Sequence, residues 1–354
     1  AFDKISHAKL LKKLEAHGIC GRVKNWIKNW LIGRTQFVSV NGSSSDVKNV
    51  TSSVPQGSVL GPILFIVYNN DMDDIATLID ILKKFADDTK CAKSVQNSAD
   101  AQILQLCLDQ LVEWGNKWSM EFNVKKCKVM HFGRNNEKHK YKMMGAELAA
   151  VDSERDIGVR INSTLKPSQH CQESANKARA VLGQITRCFH FRDRTVFLRL
   201  YQQYVRPHLE FSSSVWSPWS INDINILENV QKKAVGMISG LTSQDYDGKL
   251  LELNLWSLEK GRLMFDMMQV YKIANNIGNV QCSLKFFRDL PEQRVTRNRT
   301  EPLNLVKNRP RLDIRKYFFS ERVVDKWNNI PTVIKQAPNV KSFKSQLVKW
   351  MNQR

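Results

Sequence analysis

The sequence predicts an α+β chain. Three observations carry that expectation. The first 160 residues mix helix-period stretches with alternating runs split by turn residues. Residues 168–240 are helical in period almost throughout. And 42% of the 354 residues are hydrophobic, enough to build a core. The length suits two or three domains. A net charge of +20 calls for an anionic partner, nucleic acid or an anionic membrane surface. No apolar run is long enough to span a bilayer: "GPILFIVYNND" is broken by Asn69, Asn70 and Asp71. The expectation is therefore no membrane partner.

The elements follow in order. Leu10, Leu11, Leu14, Ile19, Val23, Trp26, Ile27, Trp30 and Leu31 recur at helical spacing over 8–33, and Gly18 with Gly21 divides that stretch into two helices. "TQFVSVNGSSSDVKNVTSSV" alternates apolar and polar residues around Asn41-Gly42, a hairpin signal. The loop "PQGS" leads to a helix with Pro62 near its first turn. Residues 79–93 read as strand, turn and strand, with "ADDT" at the turn. Residues 99–120 read as an amphipathic helix through Leu104, Cys107, Leu108, Leu111, Val112 and Trp114. "MEFNVKKCKVMHFG" reads as a pair of short strands. Helix then runs through 168–240, with a break at "RPHLEF", and continues over 243–281. A basic, irregular stretch covers 285–326, including Lys285, Arg288, Arg294, Arg297 and Arg299. The final helix spans 342–351.

Seven dispersed cysteines without a CxxC pair argue against a disulfide framework or a zinc ribbon and suit a reducing, intracellular compartment. The opening "AFDKISHAKLLKKLEAHG" lacks the apolar core and cleavage site of a signal peptide, and the chain reads as a piece of a longer protein.

The chemistry centres on "FADDTK". Asp87 and Asp88 are adjacent carboxylates that repel each other. A solvated turn is the ordinary explanation. Against it stand a strand-like approach, the small Ala86, and Lys90 in a strongly basic chain. Two carboxylates on a hairpin tip can hold Mg²⁺, a hard cation that keeps phosphates in its shell. Two such ions can clamp the attacking and leaving oxygens of a phosphoryl transfer. His131, His170, Cys171, Cys188 and His190 do not have the spacing of a zinc site. Trp216, Trp219, Trp256, Trp327 and Trp350 have the chemistry to stack on bases, and buried core is the expectation for most of them. Arg206, Lys232, Lys233, Arg309, Arg311, Arg315 and Lys316 are candidates for phosphate contact.

"SVPQGSVLGPILFIVYNND", "KFADDTK" and "WSMEFNVKKCKVMHFG" occur in an order that resembles the reverse transcriptases of non-LTR, LINE-like retrotransposons, in the jockey and chicken-repeat group. "ERDIGV", "YVRPHLEFSSSVWSP", "LENVQKKA", "SLEKGR", "YFFSERVVDKWNNIP" and "VKSFKSQL" extend the resemblance through the rest of the chain. It implies a right-hand polymerase: palm with partial fingers over 1–160, a helical thumb over 161–245, and a basic, mostly helical C-terminal domain over 246–354. It implies RNA-directed DNA synthesis, with dNTPs added to a primer 3′-hydroxyl, an RNA template and a DNA primer or target as partners, and two Mg²⁺ ions for which Mn²⁺ can substitute. It also implies a ribonucleoprotein found in nucleus and cytoplasm.

By the same resemblance Asp87 and Asp88 bind the metals. Phe2 sits under the sugar of the incoming nucleotide and selects against a 2′-hydroxyl. Pro55, Gln56 and Gly57 contact template and nucleotide beside Phe85 and Ala86, and Lys126 stands near the triphosphate, with Lys125 as its competitor. A core role for Phe2 and a surface role for Lys126 stay open. Ser53, Gly248 and Gly261 depart from the family pattern, which has Gly at the first position and Arg at the other two. The family's third metal-binding carboxylate falls before Ala1, and Asp3 reads as a helix-start residue instead. An alternative therefore stands beside the polymerase: a relic that binds nucleic acid and does no chemistry. An RNA-dependent RNA polymerase is disfavoured by Phe2.

Overall fold

In the computed structural model, residues 2–75, 77–191, 193–278 and 303–353 are described. Lys285, Arg288, Arg294, Arg297 and Arg299 of the basic stretch lie outside them. The chain divides into two compact units, Ala1–Asp152 and Ser153–Arg354.

The first unit opens with α1 (His7–Ala16) and α2 (Gly21–Leu31), separated at Gly18 and Gly21, which both take positive φ. Four short strands follow: β1 (Thr35–Gln36), β2 (Ser39–Val40), β3 (Ser43–Ser44) and β4 (Lys48–Asn49). They pair as two nested antiparallel ladders, β1 with β4 and β2 with β3. Asn41 and Gly42 close the inner ladder at φ 49° and 84°. Both central residues of that turn lie where Asn and Gly are tolerated, as a type I′ turn requires.

Helix α3 (Leu60–Asn69) carries Leu64, Phe65 and Tyr68 into a core shared with Leu10 and Leu14 of α1, Ile27 and Leu31 of α2, and Val54. A 3₁₀ segment, Asn70–Ile75, leads to the antiparallel pair β5 (Ile81–Phe85) and β6 (Asp88–Ala92). Helix α4 (Ser98–Trp118) starts at Asn97, whose side chain accepts from the Asp100 backbone N–H. Its Cys107, Leu111 and Trp114 form a second core with Met72, Tyr141 and Met143.

The expected strand pair at "MEFNVKKCKVMHFG" is only half present. Lys126 N and Cys127 N donate back to Asn123 O, at 2.9 and 3.2 Å, so a turn takes the groups a first strand would use. Only β7 (Lys128–Val129) forms. After β8 (Lys142–Met143) pairs with β9 (Ala146–Glu147), β10 (Ala149–Ala150) pairs with β7 in parallel.

The second unit begins with the hairpin β11 (Ser153–Asp156) and β12 (Val159–Asn162). Helices α5 (Ser168–Cys188) and α6 (Arg194–Leu200) follow. The break expected at "RPHLEF" is a helix. A π-helical turn over Tyr201–Val205 leads into α7 (Arg206–Glu210), which takes Pro207 in its first turn, where a missing N–H does no harm. Next come α8 (Ser213–Trp216), α9 (Ile221–Val235), α10 (Tyr246–Glu252) and α11 (Leu258–Ala274). One core joins α5 to α10 through Cys171, Leu182, Phe197, Leu209, Leu227 and Leu250.

A second core packs α11 against the C-terminal helices through Met267, Tyr271, Trp327, Phe343 and Leu347. The described part of the basic stretch is irregular over 303–312, as expected, and then helical: α12 (Asp313–Lys316), α13 (Phe319–Arg322) and α14 (Val324–Asn328) follow. Helices α15 (Thr332–Lys335) and α16 (Val340–Asn352) complete the unit.

Candidate active site

The β5–β6 hairpin sets the geometry of "FADDTK". Phe85 pairs with Asp88, so the loop has two residues, Ala86 and Asp87. Ala86 takes φ 51°, and Asp87 is not among the residues of positive φ. Positive φ at the first loop position alone is the sign pattern of a type II′ turn, which favours glycine there. The turn exposes both carboxylates. Among the described residues no hydrogen bond or ion pair engages either one. Two free carboxylates supply the oxygen donors a hard divalent cation takes, so their chemistry fits such an ion. The described residues contain no group of three or more His, Cys, Asp or Glu placed to hold a metal.

Lys84 anchors the hairpin. Its ammonium donates to the carbonyls of Asn69 and Asn70, at 2.9 and 3.2 Å, and pairs with Asp73 at 3.0 Å. Lys13, 4% exposed, holds the same 68–73 segment from inside. It donates to the Tyr68 carbonyl and to Asp71 Oδ1, the latter at 2.7 Å. The rings of Tyr68, Trp114 and Trp118 surround its ammonium at 4.8, 4.8 and 3.8 Å. Burial lowers the Lys13 pKa from its ordinary value, while Asp71 works against that shift. Trp114 Nε1 also donates to Asp71, at 2.9 Å. Neither lysine stood out in the sequence, because a Lys on an amphipathic helix or a strand is ordinarily a surface residue.

The remaining expected residues form a second group. The Phe2 ring stacks on Phe65 at 4.5 Å and 12°, half-buried against the α1–α3 core. Residues 52–54 are laced to residues 2–5. Val54 N donates to Phe2 O at 3.3 Å, Ser53 N to Ile5 O at 2.9 Å, and Ser52 Oγ to Asp3 O at 2.8 Å. Gln56 Nε2 donates to Asp3 Oδ1 at 3.4 Å. Asp3, Arg34, Gln36, Ser53, Pro55 and Gln56 line part of an open cavity of about 580 Å³. The 2–5 segment that carries Phe2 and the loop that carries Pro55 and Gln56 thus lie side by side.

Ser53 takes φ 93°, a region that suits glycine. Its carbonyl accepts from Arg34 Nη2 at 3.0 Å and lies 2.8 Å from His7 Nε2, and these contacts hold the backbone in place. Gly61 meets a different demand. A Cβ there would lie 2.6 Å from the Pro55 carbonyl oxygen, so only glycine lets α3 pass under the "PQGS" loop. Lys125 and Lys126 are both exposed, on the turn before β7.

In the second unit the basic candidates separate. Arg206 is turned inward. Its Nε and Nη2 grip Glu210 at 2.9 and 2.7 Å, and Nη1 donates to Gln231 Oε1 and the Trp256 carbonyl. That consumes the donors a phosphate would need, so the expectation of a phosphate contact is corrected. The signal was the i,i+4 spacing of Arg206 and Glu210. A Cβ at Gly261 would lie 2.9 Å from Arg206 Nη2 and closer still to Glu210, so the pair fills the space a side chain would need. Lys232, Lys233, Arg309, Arg311, Arg315 and Lys316 are exposed.

Trp216 and Trp327 are core residues, and Trp350 packs half-buried on the second core of the unit. Trp256 Nε1 donates to Asn352, and Trp219 stacks on Tyr317. His170 is buried: Arg160 N donates to its Nδ1 at 3.0 Å, and Ser174 Oγ lies 3.3 Å from Nε2. Burial pushes its pKa down to about 4. Cys171 is buried beside it, and the His131 ring stacks on Tyr141.

Residues 1–148 match the family described as reverse transcriptase (RNA-dependent DNA polymerase), a span that nearly coincides with the first compact unit. Such a domain implies a polymerase palm, and members of the family generally use divalent metal ions. The chain is 26% identical over 251 residues to the RNA-directed DNA polymerase from mobile element jockey of Drosophila melanogaster, covering 68% of this chain and 27% of the relative. It is equally similar to the jockey protein of Drosophila funebris, with the same shares covered. To the probable RNA-directed DNA polymerase from transposon X-element of Drosophila melanogaster it is 25% identical, again over 68% of this chain and 27% of the relative. The chain thus spans about a quarter of the length of these curated relatives, 27% in each case. Residues 1–148 thus match the reverse transcriptase family, and the chain is similar to the RNA-directed DNA polymerases of jockey and X-element mobile elements.

Proposed function

We propose that this chain is part of an RNA-directed DNA polymerase that copies an RNA template from a DNA primer or target, using dNTPs. One observation carries the reading: a two-residue turn presents Asp87 and Asp88 exposed and unpartnered within the unit that matches the reverse transcriptase family. In the reaction a primer 3′-oxygen attacks the α-phosphorus of a dNTP, the new phosphodiester forms, and pyrophosphate leaves. Asp87 and Asp88 would hold two Mg²⁺ ions, or Mn²⁺ in their place. The chemistry such ions supply when bound is charge stabilisation at the attacking and leaving oxygens.

This chain's residues do the positioning. The hairpin turn aims Asp87 and Asp88 outward, and Lys84 fixes the strand that carries them. Phe2, rigid on Phe65, is the group that excludes a 2′-hydroxyl, while Pro55, Gln56 and Gly57 meet template and nucleotide at the cavity beside it. Phe85 and Ala86 flank the acids, and Lys126 faces the pyrophosphate. Residues 161–245 serve as thumb and 246–354 as a basic C-terminal domain. The protein works as a ribonucleoprotein in nucleus and cytoplasm.

A second reading, nucleic-acid binding without chemistry, is favoured by the lack of a third acid beside Asp87 and Asp88 among the described residues. Primer extension on an RNA template with dNTPs separates the two. It is run on this chain and on a version extended upstream of Ala1 with the corresponding residues of a jockey-type relative. The extended protein should extend primers, and Asp87→Ala should lower the rate at least about a thousandfold, or roughly 4 kcal/mol of barrier. An inactive extended protein, or an Asp87→Ala variant with undiminished rate, sinks the polymerase reading.

A further inference from the structure

A small half-open cavity of about 90 Å³ lies within the second unit, among residues that the 1–148 match does not reach. The β11–β12 hairpin supplies Arg155, α5 supplies His170, Glu173, Ser174 and Lys177, and α7 supplies His208. A single water needs roughly 10–15 Å³ of such space, so the cavity suits a ligand a few waters in size, such as one tetrahedral oxyanion. One hydrogen bond sets the polarity of the lining. Arg160 N donates to His170 Nδ1 at 3.0 Å, so Nδ1 carries no proton. Burial lowers the His170 pKa to about 4, so near neutral pH the ring is uncharged and its proton sits on Nε2. Nε2–H then donates to Ser174 Oγ, 3.3 Å away. The Ser174 hydroxyl proton is left over. Ser174 is 6% exposed, and among the described residues no hydrogen bond takes that proton.

Each donor in this chain polarises the next, so the last one favours a strong acceptor. Charge points the same way. Glu173 is the one acid in the lining, and it is met twice, by Arg160 Nε at 3.0 Å and by Arg155 Nη2 at 3.3 Å. Lys177 is exposed, and among the described residues no hydrogen bond or ion pair engages it. Water satisfies the hydroxyl alone, whereas an oxyanion satisfies the hydroxyl and the surplus positive charge together. We infer that this cavity is a site for free inorganic phosphate, held by the Ser174 hydroxyl, the Lys177 ammonium and the Arg155 guanidinium. The ion bridges the β11–β12 hairpin to α5, so its binding stabilises the second unit. The site goes beyond the polymerase reading and does not depend on it, because it uses neither Asp87 nor a bound metal.

The test is calorimetric titration of this chain with sodium phosphate, against sodium chloride of equal ionic strength. Phosphate should bind saturably in the millimolar range and raise the thermal midpoint, and chloride should do neither. Ser174→Ala and Lys177→Gln should each weaken phosphate binding about tenfold, the scale of a hydrogen bond to a charged group. Lys177 is exposed, so its variant keeps its fold, and circular dichroism checks Ser174→Ala. Lys344→Gln, at an exposed lysine outside the lining, should change phosphate affinity by less than about twofold. Absence of saturable binding overturns the site. So does undiminished affinity in either site variant, or an equal loss in Lys344→Gln, which would reduce the effect to net charge. A single-stranded oligonucleotide separates the free ion from a phosphate carried on a strand: both site variants should bind it within about twofold of the parent. A loss there as large as the loss on phosphate gives the cavity to a strand and overturns the assignment to the free ion. An Asp87→Ala chain should bind phosphate like the parent, so failure of catalysis and failure of this site are told apart.

Discussion

The Asp87–Asp88 tip of the first unit and the interior of the second use charge in opposite ways. At that tip the carboxylates of Asp87 and Asp88 stand exposed, and among the described residues no hydrogen bond or ion pair engages either one. In the second, charges go inside and find partners there. Arg206 grips Glu210, Arg322 grips Asp266 at 2.9 and 3.1 Å, and Glu228 accepts from Tyr246, Gln231 and the Leu258 backbone N–H. Arg262 is the exception: its Nη1 is buried without a hydrogen-bond partner, and burial pulls its pKa below the ordinary value. The contrast separates two uses of the same groups. A charge taken out of water must be neutralised on the spot. Adjacent like charges left in water and unpaired are free for a cation from outside.

Stability measurements sharpen the contrast. Glu210→Ala leaves the Arg206 guanidinium buried without its counter-ion and should destabilise the second unit by about 3–5 kcal/mol. Asp87→Ala, which removes an exposed carboxylate, should shift chemical denaturation by less than about 0.5 kcal/mol. Equal effects from the two would erase the distinction.

A smaller effect follows from His170. Its folded pKa, lowered by burial to about 4, lies below the ordinary value of 6.5, so the unfolded chain binds the proton more readily. The stability this group contributes is complete above pH 6.5 and is lost as pH falls from there towards 4. The loss amounts to roughly 3 kcal/mol. Urea denaturation of the second unit at pH 7.5 and 4.5 measures it. His170→Gln should remove most of the difference, and a variant with the same pH dependence would show that other groups cause it.

The smallest change concerns strain. Ser53→Gly relieves a side chain at φ 93° but loosens the unfolded chain. The net should be a gain of about 1 kcal/mol, read from the denaturation midpoint. A loss would mean that the Ser53 hydroxyl contributes more than its distant contact with Arg34, at 3.5 Å, suggests.

Much of this was legible in residue order, and the failures have physical causes. Gly18, Gly21 and Asn41-Gly42 marked their turns because their backbone conformations are unusual and few residues accept them. "FADD" read as a hairpin tip, and it is one. The first strand of "MEFNVKKC" failed because Asn123 O closes a local turn that alternation does not reveal. "RPHLEF" read as a break because proline usually ends a helix, whereas a π-turn upstream lets Pro207 begin one. Arg206 read as a surface cation because burial is a tertiary property, although Glu210 four residues on was in plain view. Lys13 and Lys84 went unseen for the same reason. Their partners are mostly main-chain oxygens and rings distant in sequence.

Those two lysines have a mechanical consequence. Both hold residues 68–73, one from α1 and the other from the acid-bearing hairpin. A body gripped in this way transmits displacement and does not absorb it: a pull on the hairpin tip is a pull on α1. Slack in this unit belongs instead to strands β1–β4, which are exposed throughout. Amide exchange should therefore be fast over 35–49 and slow, with closely matched rates, in β5 and α1. Lys84→Met should uncouple those two rates.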